Sequence, residues 1–351
     1  MNMIMKDKIC VIGAFDFVNL PTGGQPVKTR ELYYSLVEKY GKSSVDYIDT
    51  YGWKKNPFRL LVQLFIASIE CRKFIMLPAH NGVKIFSLIL LMIKKCKKIK
   101  VFYSVIGGWL PELTQADCFL KKRLMLFDGI WVETSSMKNE LIDQGFKNIS
   151  IVHNFKHIQK IEKNNLADNL TFPIKVCTFS RVMQEKGIED AIEIIAKINN
   201  DYGSKKIHLD IYGQIDSSFS EKFEELLKKY KEDVKYCGVI SPNQSVETIK
   251  SYFALLFPTH YYTEGIPGTI IDAYFAGVPV ITAIWKNADD IFVEGKTGWG
   301  YEFDKLNQFE DLLKQMIESP SKFSSMKEST LEMAEKFQPN VVIEQISELM
   351  K

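Results

Sequence analysis

The stretch 257-FPTHYYTEGIPGTIIDAYFAGVPVIT-282 decides how this chain folds. A short apolar run, Ala254–Phe257, stops at Pro258, which cannot donate to a β-ladder. Gly265, Pro267 and Gly268 then punctuate a loop. From near Thr269 apolar residues recur at helical spacing until Gly277, and a second apolar run, Val278–Thr282, follows. Strand, loop, helix and strand in that order make half of a parallel α/β sheet. At the expected helix start, the N–H groups of Gly268, Thr269 and Ile270 form an anion site. Glu264 lies in the preceding loop. Asp272 is expected in the first helical turn, where the helix dipole favours a carboxylate. Such carboxylates accept hydrogen bonds from sugar or ribose hydroxyls.

Working outward, the same alternation runs along the whole chain. Strands are expected at Lys8–Gly13, Val45–Asp49, Lys73–Leu77, Ile99–Tyr103, Gly129–Glu133 and Ile149–Val152. A second series covers Ile174–Phe179, Ile207–Tyr212, Val234–Cys237, Ala254–Phe257 and Val278–Thr282. Helical patterns intervene, among them Thr29–Lys39, Val83–Lys97, Ile188–Asn199 and Ser220–Lys231. The polar stretch 157–172 separates the two series and reads as a linker. The expectation is an α/β protein of two Rossmann-like, doubly wound domains, 1–156 and 173–337, facing a cleft. A C-terminal helix at about 338–351 is expected to pack back on the first domain. Ligands in such sheets bind outside the carboxyl ends of the strands.

Two further motifs fall at such ends. Gly23 and Gly24, in Pro21-Thr22-Gly23-Gly24, follow the first strand and would let backbone N–H groups approach a diphosphate or sugar; a tight turn is the plain alternative. Neither G-x-G-x-x-G nor G-x-x-x-x-G-K-[ST] occurs. Ser180-Arg181-x4-Lys186-Gly187 follows the strand Ile174–Phe179. Arg offers a planar fork for phosphate oxygens and Lys a compact charge, a pair suited to a diphosphate leaving group. Two solvated surface cations would read the same way.

Composition excludes other classes. The 351 residues are 46% hydrophobic and 25% charged, which excludes a disordered, collagen-like or disulfide-scaffold chain. The six cysteines lack C-x-x-C spacing and read as buried thiols of a reducing compartment. No signal peptide is evident, and the longest apolar run, Ile85–Ile93, is far short of the roughly 20 residues that span a bilayer. A cytoplasmic protein, peripheral on the inner face of the membrane, is expected. The net charge of +2 hides a split: residues 1–160 carry +11 and residues 161–351 carry −9. In the basic half, lysines at 94, 95, 97, 98 and 100 follow the run Ile85–Ile93. Lys54, Lys55 and Arg59 flank Trp53 and Phe58, and Lys121, Lys122 and Arg123 follow Phe119 and Leu120. Cations beside apolar residues suit an anionic membrane surface. A nucleic-acid reading motif is absent.

The opening stretch resembles the nucleotide-sugar signature of retaining glycosyltransferases of the GT-B fold, the family-4 group. The matched positions are Pro258, Glu264, Gly265, Pro267, Ala273, Gly277, Pro279, Val280 and Ile281. Ser180-Arg181-x4-Lys186-Gly187 is similar to that family's diphosphate-gripping Arg and Lys, His153-Asn154 to its hinge segment, and Thr297-Gly298 to a late Thr-Gly pair. The resemblance implies a retaining transfer from a nucleotide-diphosphate sugar, such as a UDP-sugar or GDP-sugar, to a glycan or lipid-linked acceptor in surface or capsular polysaccharide synthesis. It assigns Arg181, Lys186 and Glu264 to catalysis. Gly23, Gly24, Gly265, Ile266, Pro267, Gly268, Thr269, Ile270 and Asp272 would bind the donor, with no metal and no cofactor. Two departures stand out. The family's second Glu is Asp272, one bond shorter in reach. The His that often follows the fourth strand is missing from Tyr103–Glu112, where Gly107 and Gly108 stand instead.

His80 and Trp109, with Gly107 and Gly108, are candidates for the acceptor side, against the alternatives of a loop histidine and a packing tryptophan. His260, Tyr261 and Tyr262 adjoin the signature and are open to sugar or base contacts. Asp289-Asp290 reads as a solvated helix start rather than a metal site. The competing readings are a sugar-nucleotide epimerase or phosphorylase on the same fold, and a catalytically weak, glycosyltransferase-like scaffold subunit.

Overall fold

A computed structural model describes residues 8–17, 24–166 and 170–351. The chain divides into two compact units, residues 1–157 with 336–351, and residues 158–335.

The first unit is a six-stranded parallel sheet of β1 (Lys8–Gly13), β2 (Val45–Asp49), β3 (Cys71–Met76), β4 (Lys100–Ser104), β5 (Gly129–Val132) and β6 (Ile149–Ile151). The strand order is β2-β1-β3-β4-β5-β6, so the winding reverses between β1 and β3. Helices α1 (Gly24–Tyr40), α2 (Pro57–Glu70), α3 (His80–Cys96), α4 (Leu110–Ala116), α5 (Cys118–Leu124) and α6 (Ser135–Asp143) connect the strands. Central strands such as β1 and β4 are nearly continuous apolar runs because both faces are covered. On one face Leu60 and Leu64 of α2, Phe86 and Leu90 of α3, and Leu120 and Leu124 of α5 join a single core. On the other, Leu32 and Leu36 of α1 pack with Val342, Ile343 and Ile346.

In the second unit β7 (Ile174–Phe179), β8 (Ile207–Tyr212), β9 (Val234–Gly238), β10 (Ala254–Phe257), β11 (Val280–Ile284) and β12 (Gly298–Glu302) form another parallel sheet. Its order, β12-β11-β10-β7-β8-β9, places the reversal between β7 and β10. The helices are α7 (Ile188–Asp201), α8 (Ser220–Lys229), α9 (Ser245–Ile249), α10 (Gly268–Phe275), α11 (Leu306–Glu318), α12 (Pro320–Ser324) and α13 (Lys327–Ala334). Residues 336–351, which belong to the first unit, hold the last helix, α14 (Pro339–Leu349). Helices α7, α8 and α11 supply one core with Ile192, Phe223 and Leu313.

The structure differs from the sequence reading at several places. Helix α10 begins at Gly268, directly after Pro267 in an extended conformation, so Asp272 is its fifth residue and lies past the first turn. The helix ends in a Schellman turn: Gly277 N–H donates to Tyr274 O and Val278 N–H to Ala273 O, with Gly277 at φ 63°. That turn occupies Val278 and Pro279, and β11 therefore begins at Val280. Three thiols, Cys10, Cys71 and Cys177, are buried as expected, but Cys96 and Cys118 are exposed and Cys237 is half-buried; all six are free. Strand β12 and helices α2 and α11 have no counterpart in the sequence reading. Glycines at 298 and 300 weaken the strand signal of β12, and α2 carries apolar residues nearly all round.

The loops at the second reversal are pinned to each other. Gly187, at φ 65°, ends the loop after β7 with its Cα against the carbonyl of Pro258; a Cβ there would lie 1.8 Å from Pro258 O. His260 N–H donates to Glu185 O at 2.9 Å. The His260 ring then bridges Asp190 on α7 (Nε2 to Oδ2, 2.6 Å) and Asp304 after β12 (Nδ1 to Oδ1, 2.7 Å). Burial pushes the His260 pKa down, but hydrogen bonds to Asp190 and Asp304 outweigh it, and the net position is above the ordinary value.

Two outcomes follow from these contacts. Gly187→Ala should lower stability by about 3 kcal/mol in urea denaturation, through backbone strain plus the clash. Gly203→Ala, at φ 60° with nothing within 4 Å of a Cβ, should lose only about 1 kcal/mol. Because the folded-state pKa of His260 is raised, its contribution is full below the unfolded value and is lost as pH rises through the folded one. The stability gap between the parent protein and His260→Ala should therefore be widest below the ordinary imidazole range and narrow as pH rises through the raised folded-state value. A gap that widens with pH would contradict the ion-pair geometry.

Candidate functional site

The carboxyl ends of β7 and β10 adjoin at the reversal of the second sheet, the place where open α/β sheets form a ligand crevice. The loop after β7 delivers Arg181 and Lys186, and the loop after β10 delivers Glu264. Lys186 Nζ donates to Glu264 Oε2 at 2.5 Å, with both side chains largely shielded from solvent. The ammonium also lies over the rings of Phe257, at 5.7 Å, and Tyr261, at 5.5 Å. Two residues 78 apart in sequence thus form one charged pair. Arg181 is exposed, with a long contact of 3.9 Å to Asp216, and its fork is open to water.

Beyond Glu264 the chain turns through Gly265, Ile266 and Pro267, all buried, into the start of α10. Of the three amides expected to face an anion, that of Ile270 donates to Pro267 O at 3.1 Å. It is therefore occupied, a correction to the sequence reading. Gly268 and Thr269, the first two residues of the helix, precede any intrahelical acceptor. The Thr269 hydroxyl is buried and has no hydrogen-bond partner among the described residues. Asp272 is 1% exposed, so its carboxylate sits within the second unit rather than on its rim.

Asn287, 2% exposed, holds the Glu264 backbone by donating from Nδ2 to Glu264 O at 2.6 Å. The sequence reading missed it, since a single Asn in a loop carries no spacing signal. Tyr261 and Tyr262 are exposed beside the site, and Tyr262 O accepts from Lys286 N–H. Asp289-Asp290 lies in a short 3-10 turn. Among the described residues no group of three His, Cys, Asp or Glu side chains is disposed to hold a metal ion.

The first unit has its own cluster at the carboxyl ends of its strands. Gly23 lies outside the described residues. Gly24 is the exposed first residue of α1, and the next residue, Gln25, donates to Leu77 O. His80, after β3, has φ 38° and stacks on Trp109, after β4, with ring centroids 4.3 Å apart and planes at 20°. Trp109 Nε1 is fixed by Ile106 O at 2.7 Å. Gly107 lies against the Trp109 ring, and Gly108 is buried. The four residues singled out on this side are thus brought together. A buried ion pair, Lys28 to Glu133 at 2.5 Å, lies at the same edge; Lys28 also donates to Val105 O. It escaped the sequence reading, and a lysine on the apolar side of α1 is the only trace it leaves.

Residues 159–333 match the family model "Glycosyl transferases group 1". Anabaena Alr3699/HepE, solved in complex with UDP, superposes with a TM-score of 0.76 at 12% identity, over 98% of this chain and 99% of that one. Sucrose-phosphate synthase from Thermosynechococcus elongatus gives 0.76 at 14% identity, over 98% of each chain. The lipopolysaccharide outer core galactosyltransferase WaaB gives 0.67 at 18% identity, over 98% of this chain and 99% of that one. No curated protein matches the chain in sequence. The α/β fold of two parallel six-stranded sheets is that of GT-B glycosyltransferases. The second unit carries a glycosyl transferases group 1 domain, and the chain is a glycosyltransferase.

Proposed function

We propose that the protein is a retaining glycosyltransferase that moves a sugar from a nucleotide-diphosphate sugar to a glycan or lipid-linked acceptor in surface or capsular polysaccharide synthesis. The observation that carries the reading is the Lys186–Glu264 pair at the start of α10. A cation and a carboxylate meet at one sheet reversal, and the Gly268 and Thr269 amides follow Glu264 by four and five residues. A diphosphate supplies what Lys186, Arg181 and these amides lack, while sugar hydroxyls supply donors for Glu264.

In this reading Arg181 and Lys186 bear the charge that grows on the departing diphosphate, which is where fixed electrostatics lower a barrier most. A bound diphosphate competes with Glu264 for the Lys186 ammonium and leaves the carboxylate to accept from the sugar. Gly265, Ile266 and Pro267 shape the loop, and Thr269 contributes its hydroxyl. Asp272 orders the ribose end from within the unit. Transfer proceeds on the same face as departure, with the leaving diphosphate assisting removal of the acceptor proton. His80, Gly107, Gly108 and Trp109 in the first unit hold the acceptor, the stacked rings offering an apolar face for a sugar. The fixed cations do the work without a metal. UDP is the nucleotide favoured, since the Alr3699/HepE structures contain UDP, UDP-glucose, or UDP with glucose. The protein works in the cytoplasm, peripherally on the inner membrane face.

Binding of UDP should raise the melting temperature of the full chain by mass action, more than ADP or GDP at equal concentration. Arg181→Ala and Glu264→Ala should each cut transfer about a hundredfold or more without lowering the melting temperature of the free protein appreciably. Activity equal to the parent in either variant would remove the assignment. Saturating EDTA should leave the rate unchanged, and a metal-dependent rate would transfer the electrostatic role away from Arg181 and Lys186.

A further inference from the structure

We infer that the outer face of α2, α3 and α5 seats on an anionic lipid bilayer, with Phe58, Phe65 and Phe119 entering the interface. Its biological purpose rests on the membrane-side reading above, but its physics is separate from the transfer chemistry. Helix α2 is anchored to its sheet by a narrow stripe, Leu60, Leu64 and Ser68, one residue per turn. The rest of its circumference is also apolar: Phe58 is 75% exposed and Phe65 62%, and Leu61, Ile66 and Ile69 are exposed with them. A soluble surface helix carries polar residues there. On the neighbouring helices Leu88 and Met92 of α3 and Phe119 of α5, 76% exposed, face outward as well.

These residues share one surface. All three helices pack against the same sheet face, through Leu64, Phe86 and Leu120 in one core. Lys97, just past α3, lies 5.1 Å above the Phe65 ring and donates to Ser68 on α2, so the ends of α2 and α3 meet. Trp53, ahead of α2, packs edge-on against Phe86 of α3 at 5.8 Å. Exposed apolar side chains gathered on the helices of one sheet face mark an interaction site.

Charge selects the occupant. Residues 53–98 contain ten lysines and arginines and one acid, Glu70, which pairs with Lys8. Lys54, Lys55 and Arg59 are exposed at the start of α2, Lys95 and Lys98 at the end of α3, and Lys122 on α5. A second copy docking through the same patch would oppose these cations to themselves. A nucleic acid would meet the cations but leave the phenylalanines without a partner. An anionic bilayer satisfies both at once: headgroups meet the rim of lysines and the acyl boundary takes the aromatic and aliphatic side chains. No helix among the described residues is long and apolar enough to cross a membrane, so the face lies in the interface plane.

The test is sedimentation of the full chain with vesicles of phosphatidylcholine containing phosphatidylglycerol, and of phosphatidylcholine alone. Binding is expected only to the anionic vesicles and should weaken with added salt. The double variant Phe58→Ser, Phe65→Ser and the double variant Lys54→Glu, Lys55→Glu should each lose about tenfold or more in vesicle affinity. Both should keep the parent melting temperature and UDP-induced shift. Anionic-vesicle binding that is absent, or equal in the parent and the phenylalanine variant, overturns the inference. So does a lipid-free dimer that this variant converts to monomer. Vesicle binding without a UDP shift removes the donor reading and leaves the docking face; a UDP shift without vesicle binding does the reverse.

Discussion

Everything at the candidate site depends on one close approach, that of the Gly187 Cα to the carbonyl of Pro258. Only a residue without a Cβ lets the loops after β7 and β10 touch there, and only in a left-handed backbone conformation. Lys186 precedes the contact by one residue, and Glu264 follows Pro258 by six. The backbone packing thus brings the two loops close enough for the ion pair between them to form. The same constraint explains the aromatic surroundings of Lys186, since Phe257 and Tyr261 flank Pro258 in sequence and in space. His260 and Asn287 then fix the loop from its two sides, one through carboxylates on neighbouring segments and the other through the Glu264 carbonyl.

Much of this was legible in the sequence, and for identifiable reasons. Strands β1, β2, β7, β8 and β10 fall where the sequence placed them: β1 and β10 are buried almost throughout and leave an uninterrupted apolar signal, while β8 alternates buried with half-buried residues. Lys186 and Glu264 were each legible as following a strand, and the family resemblance put both at the donor. Their direct contact was not, since it depends on which strands are neighbours. Asp272, expected in the first turn of α10, is the fifth residue of a helix that begins at Gly268 and so lies just past that turn. The buried pair Lys28–Glu133 and the His260 bridge join segments 105, 70 and 44 residues apart, and no local pattern reports such partners. Helix α2 escaped notice because its apolar residues obey no single-face period; they serve two surfaces, the core and the exterior.

The two halves of the chain handle charge in opposite ways. In the acidic half the cations of the candidate site are few and specifically held: Lys186 is shielded and paired, and Arg181 reaches outward beside Asp216. Helix α10 adds its amides to them without adding net charge. In the basic half the excess is spread over helix ends, where Lys94 pairs with Asp128 while Lys54, Lys55, Lys95 and Lys98 are exposed near exposed apolar side chains. A charge total for the whole chain cancels these two arrangements and conceals both.

Helix α14 has a bearing on how the molecule is made. Its residues Val342, Ile343 and Ile346 fill one core of the first unit, beside Leu32 and Leu36, although the whole second unit intervenes in the chain. During synthesis that core stands open on one side until α14 has been translated. At usual elongation rates the interval for residues 158–335 is roughly 10–40 s, far longer than hydrophobic collapse. The second unit, continuous in sequence, is able to complete its own core first. The order of maturation is thus the reverse of the order of translation, and the nascent first unit has an exposed apolar seam that chaperones can occupy.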